Sequence, residues 1–337
     1  MTLEHQYYNE ASLFLEKLFF ELREKNVSFE KWDIDHLCFR TESLEHYEKI
    51  KTDFALFSDL LIESPVNGRP IATYKLKKAW RFHHHFIDLI EVPAPKPNKV
   101  VRPGFEHIEV VYPFSFDDIQ KQYPELNFEQ NKNHKKFNPE LVANLKNGDI
   151  KFHHQSLENI IHIEKTPKLI ESLFQDIQLP IEPFFITGTY PLNLQNEKSD
   201  IDVCFEYSPH KAIIILEFIQ GFQEWVQSPK LSIKNNIYVF NFVFSNLNFE
   251  FYFSPESLYE QNSYRHLLIE QRLLKIFGAN LSNSIKKLKT HHHTEFAFAK
   301  AIGLETNELD AFQDLLSLQS LSDLEIFEKF KHSFLSI

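Results

Sequence analysis

Cysteine, glycine and methionine are scarce in this chain, whose 337 residues include 2 Cys, 7 Gly and 1 Met. Two cysteines without a Cys-x-x-Cys spacing do not make a disulfide framework. Cys38 and Cys204 each lie in an apolar, strand-like segment, so we expect both to be reduced core residues. So few glycines leave little room for ordinary glycine-rich loops.

Long apolar runs are also missing. The longest wholly apolar stretch is Ala212–Leu216, far short of the ~20 residues that span a bilayer. The chain starts Met-Thr-Leu-Glu-His-Gln, without the basic and apolar regions of a secretory signal. We therefore expect a cytoplasmic protein without membrane association.

Basic residues are outnumbered, with 36 Lys and Arg against 47 Asp and Glu and a formal net charge of -11. Phosphate backbones and anionic membranes attract Lys- and Arg-rich surfaces. The charge excludes a general nucleic-acid or anionic-membrane binder, but small phosphorylated ligands stay open.

Aromatic residues are plentiful at 15%, with 34 Phe, and hydrophobic residues reach 43%. This composition is typical of globular proteins rather than disordered ones. The chain is more than twice the ~150 residues of one average domain. We predict two domains, residues 1–166 and 167–337, with the boundary near Lys165–Lys168.

The first half reads as an internally repeated α+β domain. Asp35-His36 and Glu106-His107 each open a strand that is followed by helix-like and then strand-like sequence. Helical spacing predicts helices over 8–24, 44–54 and 156–163, and apolar patterning predicts strands over 35–40, 71–76, 81–86, 86–92, 105–111 and 150–154.

The second half mixes strands with a helical end. Strands are predicted over 184–189 and 200–205, and a hairpin over 237–244 and 248–253. Helices are predicted over Pro167–Gln178 and Glu256–Phe277, the second with a break near Gln261-Asn262 and a stop at Gly278. A helical tail follows.

Acidic side chains gather on two strands of this half. Asp200 and Asp202 are two residues apart, so they share one face of a strand. Glu250 lies on the polar face of the hairpin. Adjacent carboxylates repel, and hard oxygen ligands suit Mg²⁺. Gly188-Thr189 ends a strand where backbone N–H groups can approach a phosphate.

A Gly-Thr turn, ten residues, Asp-x-Asp and a later Glu together resemble the nucleotidyltransferase superfamily. Residues 182–315 are similar to an uncharacterised bacterial family placed in it, through the segments Gly188–Pro191, Ser199–Asp202, Gln261–His266, Glu270–Leu274 and Thr294–Ala299. The resemblance implies a mixed sheet with helices and a helical tail. It also implies that the acids hold Mg²⁺ against a nucleoside triphosphate for transfer to an unknown small-molecule acceptor.

A basic island runs from Arg265 to Lys300, with seven basic and two acidic residues. It is either an ordinary exposed helix face or a surface for triphosphate. The predicted substrate- and phosphate-binding residues are Gly188, Thr189, Ser199, Arg265, His266 and Arg272.

Four strand-borne residues of the first half form a second candidate site: His36, Glu91, His107 and His154. Imidazoles with one carboxylate suit Zn²⁺, Ni²⁺, Mn²⁺ or Fe²⁺ and leave coordination positions open for substrate. The alternative is that these histidines are hydrogen-bonded core residues.

Repeats of this size with His on the first strand and Glu on the last resemble the vicinal oxygen chelate superfamily of paired βαβββ modules. Residues 5–165 are similar to its YecM-like family, through Asp35-His36, Val66–Ile71, Ile90–Pro93, Gly104–Glu109 and Lys151–His154. The resemblance implies a glyoxalase-like cupped sheet with a divalent-metal site.

Three functions remain open at this point. The second half transfers nucleotidyl groups; the first half acts as a metal-dependent isomerase, lyase or dioxygenase; or both halves are non-catalytic ligand-binding modules. The orientation of Glu250 discriminates between them, because a Glu250 side chain that faces away from Asp200 and Asp202 indicates polar surface rather than a metal site. The sequence leaves the oligomeric state open.

Overall fold

The computed structural model describes residues 2–66, 68–96, 101–129, 138–165, 184–196, 199–244 and 246–334. They form an α+β structure with two sheets and a group of C-terminal helices, as predicted. The predicted helix Pro167–Gln178 and the residues 166–168 of the predicted boundary lie outside these ranges. Within these ranges, no helix has the length and apolar character required to cross a membrane.

The first sheet has eight strands in the order β2-β3-β4-β1-β5-β8-β7-β6. Strand β1 pairs parallel with β4, β5 pairs parallel with β8, and β1 and β5 join antiparallel. This is a pair of βαβββ modules side by side, as predicted. The strands are β1 Asp33–Arg40, β2 Ser58–Val66, β3 Arg69–Phe82, β4 His85–Pro93, β5 Gly104–Val111, β6 Asn127–Phe128, β7 Leu141–Leu145 and β8 Gly148–His153.

The strand predictions for this sheet were incomplete. No strand was predicted over β2, β6 or β7, and the largely exposed side chains of β2 lack a clear apolar alternation. The strand predicted over residues 81–86 is instead the junction of β3 and β4, where His83 turns the chain at φ 51°.

Helices cover one face of this sheet. Helix α1 (Leu3–Glu24) begins at Thr2, whose side chain accepts a hydrogen bond from the His5 N–H. Its buried residues, among them Leu15 and Leu18, pack with the alternate strand residues Leu37 and Ile108. Helices α2 (Leu44–Phe54), α3 (Phe116–Gln122) and α4 (Leu157–Lys165) complete the helices of this half. Because strand side chains alternate, the polar residues face the other way.

The second sheet has five strands in the order β11-β12-β13-β10-β9. Strand β10 pairs parallel with β13 and antiparallel with β9, and the predicted hairpin is β12-β13. Stacked phenylalanines of β10, β12 and β13 fill the core on one face. The strands are β9 Phe184–Thr187, β10 Asp200–Glu206, β11 Gln227–Lys234, β12 Ile237–Phe244 and β13 Leu247–Ser254.

A long helix, α6, joins this sheet to the first one. It runs from Asn262 to Leu288, later than the predicted start at Glu256, and Gly278 bends it at φ 68° rather than stopping it. Buried side chains of α6 contact β1, including Lys275 with Asp33. The other α-helices among the described residues are α5 Ala212–Phe222, α7 Thr294–Ile302, α8 Ala311–Ser317 and α9 Asp323–Phe334.

Candidate functional site

Three carboxylates meet at the polar face of the second sheet. The register of β10 and β13 sets Asp202 beside Glu250, and Asp200 lies two residues earlier on the same face. One oxygen from each of the three lies within 4.8 Å of the other two. Two parallel neighbouring strands thus bring together the acids that the sequence analysis singled out.

Glu250 is held in this position by two neighbours. The amide of Asn241, across the hairpin, donates a hydrogen bond to Oε1, and the hydroxyl of Tyr252 donates to Oε2. A carboxylate oriented by hydrogen bonds keeps further lone pairs for a cation. The arrangement therefore fixes the third acid toward the two aspartates.

The electrostatics of the three acids are unfavourable without a cation. Burial, together with the charges of Asp200 and Glu250, raises the pKa of Asp202 well above its usual value. Like charges this close cannot all stay ionised at low cost. A divalent ion with oxygen preference fits this donor set and would relieve the repulsion.

The Gly188 turn packs directly against this cluster. Gly188 has φ +74°, and a Cβ at this position would lie 2.0 Å from Oδ2 of Asp202. Only glycine combines that backbone conformation with so close an approach. Thr189, next along the chain, is also buried, at 9% exposure.

Gly188, Thr189, Asp200 and Asp202 line a cavity of about 580 Å³, together with Tyr252, which donates a hydrogen bond to Glu250. Its opposite side comes from α6 and the segment after it, including His266, Glu270 and Lys289. Ser199 also lines it and exchanges hydrogen bonds with Asn196. The volume lies in the range of small-molecule sites.

Lys289, which is not among the predicted site residues, lines the same cavity as Asp200 and Asp202. Its Nζ donates to the Leu194 carbonyl at 2.9 Å. Burial lowers its pKa to about 8, while Glu270, Glu295 and the two aspartates act in the opposite sense. Lys289 belongs to the predicted basic island, so this run of basic residues could have identified it from the sequence as a candidate site residue.

A second polar cluster lies on the open face of the first sheet, centred on Glu109. Imidazole Nε2 atoms of three histidines approach its carboxylate: His153 at 2.8 Å, His107 at 3.4 Å and His36 at 3.5 Å. The ammonium of Lys151 donates to it at 2.9 Å. Strands β1, β5 and β8 thus direct four side chains toward one acid.

The histidines around Glu109 are buried and incompletely bonded. Nε2 of His36, His107 and His153 has no hydrogen-bond partner of good geometry among the described residues. Burial alone would lower the pKa of His36, but the charge of Glu109 and the bond to Asp35 raise it to about 10. Orphaned imidazole nitrogens beside a carboxylate are the donor set of a transition-metal site.

Glu109 and His153 also form a group with Glu140, and His107 forms another with Cys38 and Glu106. Each group offers ligand atoms within 4.8 Å of one another. Of these residues, only His107 is a predicted ligand. The alternation of His107 and Glu109 along β5 was the available signal for Glu109.

Comparison with known families divides the chain in two. Residues 4–164 match the family model described as YecM protein, and residues 169–318 match the model of a domain of unknown function, DUF4269. We refer to these two matched segments as the YecM domain and the DUF4269 domain. An uncharacterized protein of Haemophilus influenzae is 32% identical over 105 residues, which cover 31% of this chain and 55% of the relative's length. The chain thus spans about half of that relative.

Protein YecM of Escherichia coli is 26% identical over 147 residues, covering 39% of this chain and 78% of that protein. The solved structure named Protein EC4020 is 25% identical with a TM-score of 0.41, covering 45% of this chain and 87% of its own. The poly(U) polymerase Cid1 is 14% identical with a TM-score of 0.31, covering 45% and 46%.

In the DUF4269 domain, two predicted phosphate-binding residues are engaged elsewhere. Arg265 donates to Gln319 Oε1 through Nε at 3.1 Å and Nη2 at 3.0 Å. Arg272 donates to Asp323 at 2.9 Å and to the Leu321 carbonyl at 2.7 Å. Neither lines the cavity of the acids, so the prediction for both is corrected: they fasten the C-terminal segment to α6.

In the YecM domain, two of the four predicted ligands lie outside the Glu109 cluster. His154 directly follows the last residue of β8. By the alternation of strand side chains, it lies on the same side as Ile150 and Phe152, which face the core. Its ring stacks on Phe116 at 4.4 Å, and burial lowers its pKa to about 4. The structure places His153, the preceding residue, at Glu109 instead.

Glu91 is the other correction. Its Oε1 accepts a hydrogen bond from the Cys38 thiol at 3.6 Å. Cys38 and Glu91 are register partners on β1 and β4, whereas Glu109 lies on β5 on the other side of β1. The carboxylate of the cluster therefore comes from the second module rather than the first.

Proposed function

We propose that the DUF4269 domain is a Mg²⁺-dependent nucleotidyltransferase acting on a small acceptor. The observation that carries the proposal is the convergence of Asp200, Asp202 and Glu250 beside the Gly188 turn, where the two aspartates line a cavity of about 580 Å³. Glu250 faces the two aspartates, the orientation that favours a metal site over polar surface and over a non-catalytic role.

Each residue has a definite part in this proposal. Asp200, Asp202 and Glu250 would hold Mg²⁺, which neutralises charge on the phosphates and stabilises the attacking and leaving oxygens. Lys289 would neutralise further negative charge of the triphosphate, and the Gly188 turn would let the backbone approach the phosphates. The oxygen of the acceptor hydroxyl forms a bond to the α-phosphorus as the bond to pyrophosphate breaks, and the hydroxyl proton passes to water.

Calorimetric titration of the full-length protein tests this function. We expect at least one of MgATP, MgCTP, MgGTP and MgUTP to bind, with affinity about tenfold or more lower when EDTA removes Mg²⁺, because the acids would then repel the triphosphate. Equal affinity with and without Mg²⁺, or no binding of any of the four, would contradict the proposal.

We propose a second metal site in the YecM domain, with His107, Glu109 and His153 as ligands and His36 beside them. Its supporting observation is the set of buried Nε2 atoms that lack partners of good geometry around one carboxylate. When bound, a transition metal there would polarise an oxygen-bearing small substrate, as isomerases, lyases and dioxygenases require. Lys151 would help hold that substrate's negative charge.

A pair of neighbouring histidines distinguishes this site from the one predicted from sequence. His153→Ala should lower the affinity for Zn²⁺ or Ni²⁺ by about 100-fold, because it removes a ligand. His154→Phe keeps the aromatic packing on Phe116 and should bind metal as the wild type does. Elemental analysis after dialysis against each metal measures both. Equal metal content in the two variants would count against this ligand set.

A further inference from the structure

His266 is a buried imidazole that lines the cavity of the acids. Its side chain is 4% exposed, and neither ring nitrogen has a hydrogen-bond partner of good geometry in the part of the chain that the structure describes, although the Phe312 backbone is close enough to act on the ring. Leaving a buried polar group poorly bonded carries a desolvation cost. Its ring lies against Phe312, with centroids 4.0 Å apart, and both residues line the cavity.

The side of the cavity that carries His266 is polar, and burial disfavours the charged forms of His266 and Glu270. Burial lowers the pKa of His266 to about 4, so the imidazole is neutral near pH 7. Glu270 follows one helical turn later, is 3% exposed, and its pKa is raised well above the usual value by burial. Asn262 precedes His266 by one turn and lines the same cavity. These three residues of α6 form what we call the neutral wall.

A phosphate does not suit this wall, since phosphates are bound by cations and by charge-assisted donors. Lys289 and the acids supply those interactions elsewhere in the cavity. The neutral wall instead offers an imidazole and an amide, which can each donate and accept, and the buried Glu270 carboxyl group, next to the Phe312 ring. Such a set suits the edge of a planar heterocycle.

We propose that the neutral wall and Phe312 form a nucleobase subsite, in which His266 hydrogen-bonds the edge of the base of the bound triphosphate. This inference rests on the proposed nucleotidyl transfer and adds to it the group that selects among nucleotides. His266 is then a specificity-determining residue, separate from the metal-binding acids.

The test compares nucleotides with a ligand that has no base. Wild type, His266→Ala and His266→Gln are titrated calorimetrically with the four Mg²⁺ nucleoside triphosphates and with Mg²⁺ tripolyphosphate. We expect the wild type to prefer one base, and His266→Ala to bind that nucleotide about tenfold more weakly. Tripolyphosphate affinity should stay unchanged, and His266→Gln, which keeps a neutral donor and acceptor, should retain part of the preference.

The controls separate this inference from the proposed function. His291→Ala changes an exposed histidine outside the cavity and should behave as wild type. If the wild type binds all four nucleotides and tripolyphosphate equally well, nucleotide binding stands and the base subsite is refuted. If His266→Ala weakens tripolyphosphate as much as the nucleotides, the subsite is also refuted. If nothing binds, both proposals are overturned.

Discussion

Asp202→Asn is expected to lower Mg²⁺-dependent triphosphate turnover by about a thousandfold, because loss of a metal ligand removes several kcal/mol of charge stabilisation. The same change should leave the metal-free protein at least as stable as the wild type. Burial and the charges of Asp200 and Glu250 raise the pKa of Asp202, so its ionised form is unfavourable in the folded chain. An amide of the same shape removes that repulsion.

This prediction is specific because Asp202→Asn should lower turnover without lowering the stability of the metal-free protein. Turnover is followed by pyrophosphate release with the preferred nucleotide, and stability by thermal melting in EDTA with and without added Mg²⁺. Mg²⁺ should raise the melting temperature of the wild type and not that of Asp202→Asn. Asp117→Asn, at an exposed helical position, is the matched control and should match the wild type in both assays. A lower metal-free melting temperature would instead mark Asp202 as a structural carboxylate.

Gly188→Ala offers an independent route to the same result. The added Cβ would collide with Oδ2 of Asp202 and would sit at positive φ, so the carboxylate must move away from its partners. We expect Mg²⁺ stabilisation to be lost although every acid is still present. Gly221→Ala, with open space around its Cβ, should keep it.

The acidic site could be predicted from local patterns, and the structure brings its members together. Alternation along one strand placed Asp200 and Asp202 on one face, and the hairpin pattern placed Glu250 on another polar face. Because β10 and β13 pair in parallel, these two polar faces lie on the same side of the sheet. The role of these residues as ligands stays a prediction that the experiments above test.

The cationic part of the site could not be predicted in the same way. Arg265 and Arg272 have the spacing of a binding surface, yet their partners Gln319 and Asp323 lie about fifty residues further along the chain. No local pattern indicates that such distant residues pack on α6. The same limit explains why Glu91 was predicted at the histidines instead of Glu109. Only the order of strands β4, β1 and β5 in the sheet decides which of the two carboxylates lies next to the histidines.

Lys275→Met is expected to cost about 3–5 kcal/mol in the free energy of unfolding, the usual effect of removing one partner from a buried ion pair. Lys275 is 6% exposed and contacts Asp33 of the YecM domain and Asp323 of the C-terminal helix, the latter at 3.2 Å. Its ammonium also donates to the Ile34 carbonyl at 3.2 Å. Burial alone would lower the pKa of Lys275, but the two aspartates raise it, so the lysine stays charged.

Denaturant unfolding of full-length variants measures this effect. Lys121 and Asp118 form an exposed ion pair, with side chains that are 76% and 55% exposed, respectively. Lys121→Met removes this pair and should change the free energy of unfolding by less than about 0.5 kcal/mol. Adding Asp33→Asn to Lys275→Met should recover part of the loss, because one unpaired buried charge is removed while Asp323 keeps Arg272. A loss below about 1 kcal/mol for Lys275→Met, or no recovery in the double variant, would mean that the charges are solvated. Lys275 lies on a helix of the DUF4269 domain and Asp33 on the first strand of the YecM domain. The predicted loss in the free energy of unfolding would therefore show that this ion pair contributes strongly to the packing of the two domains.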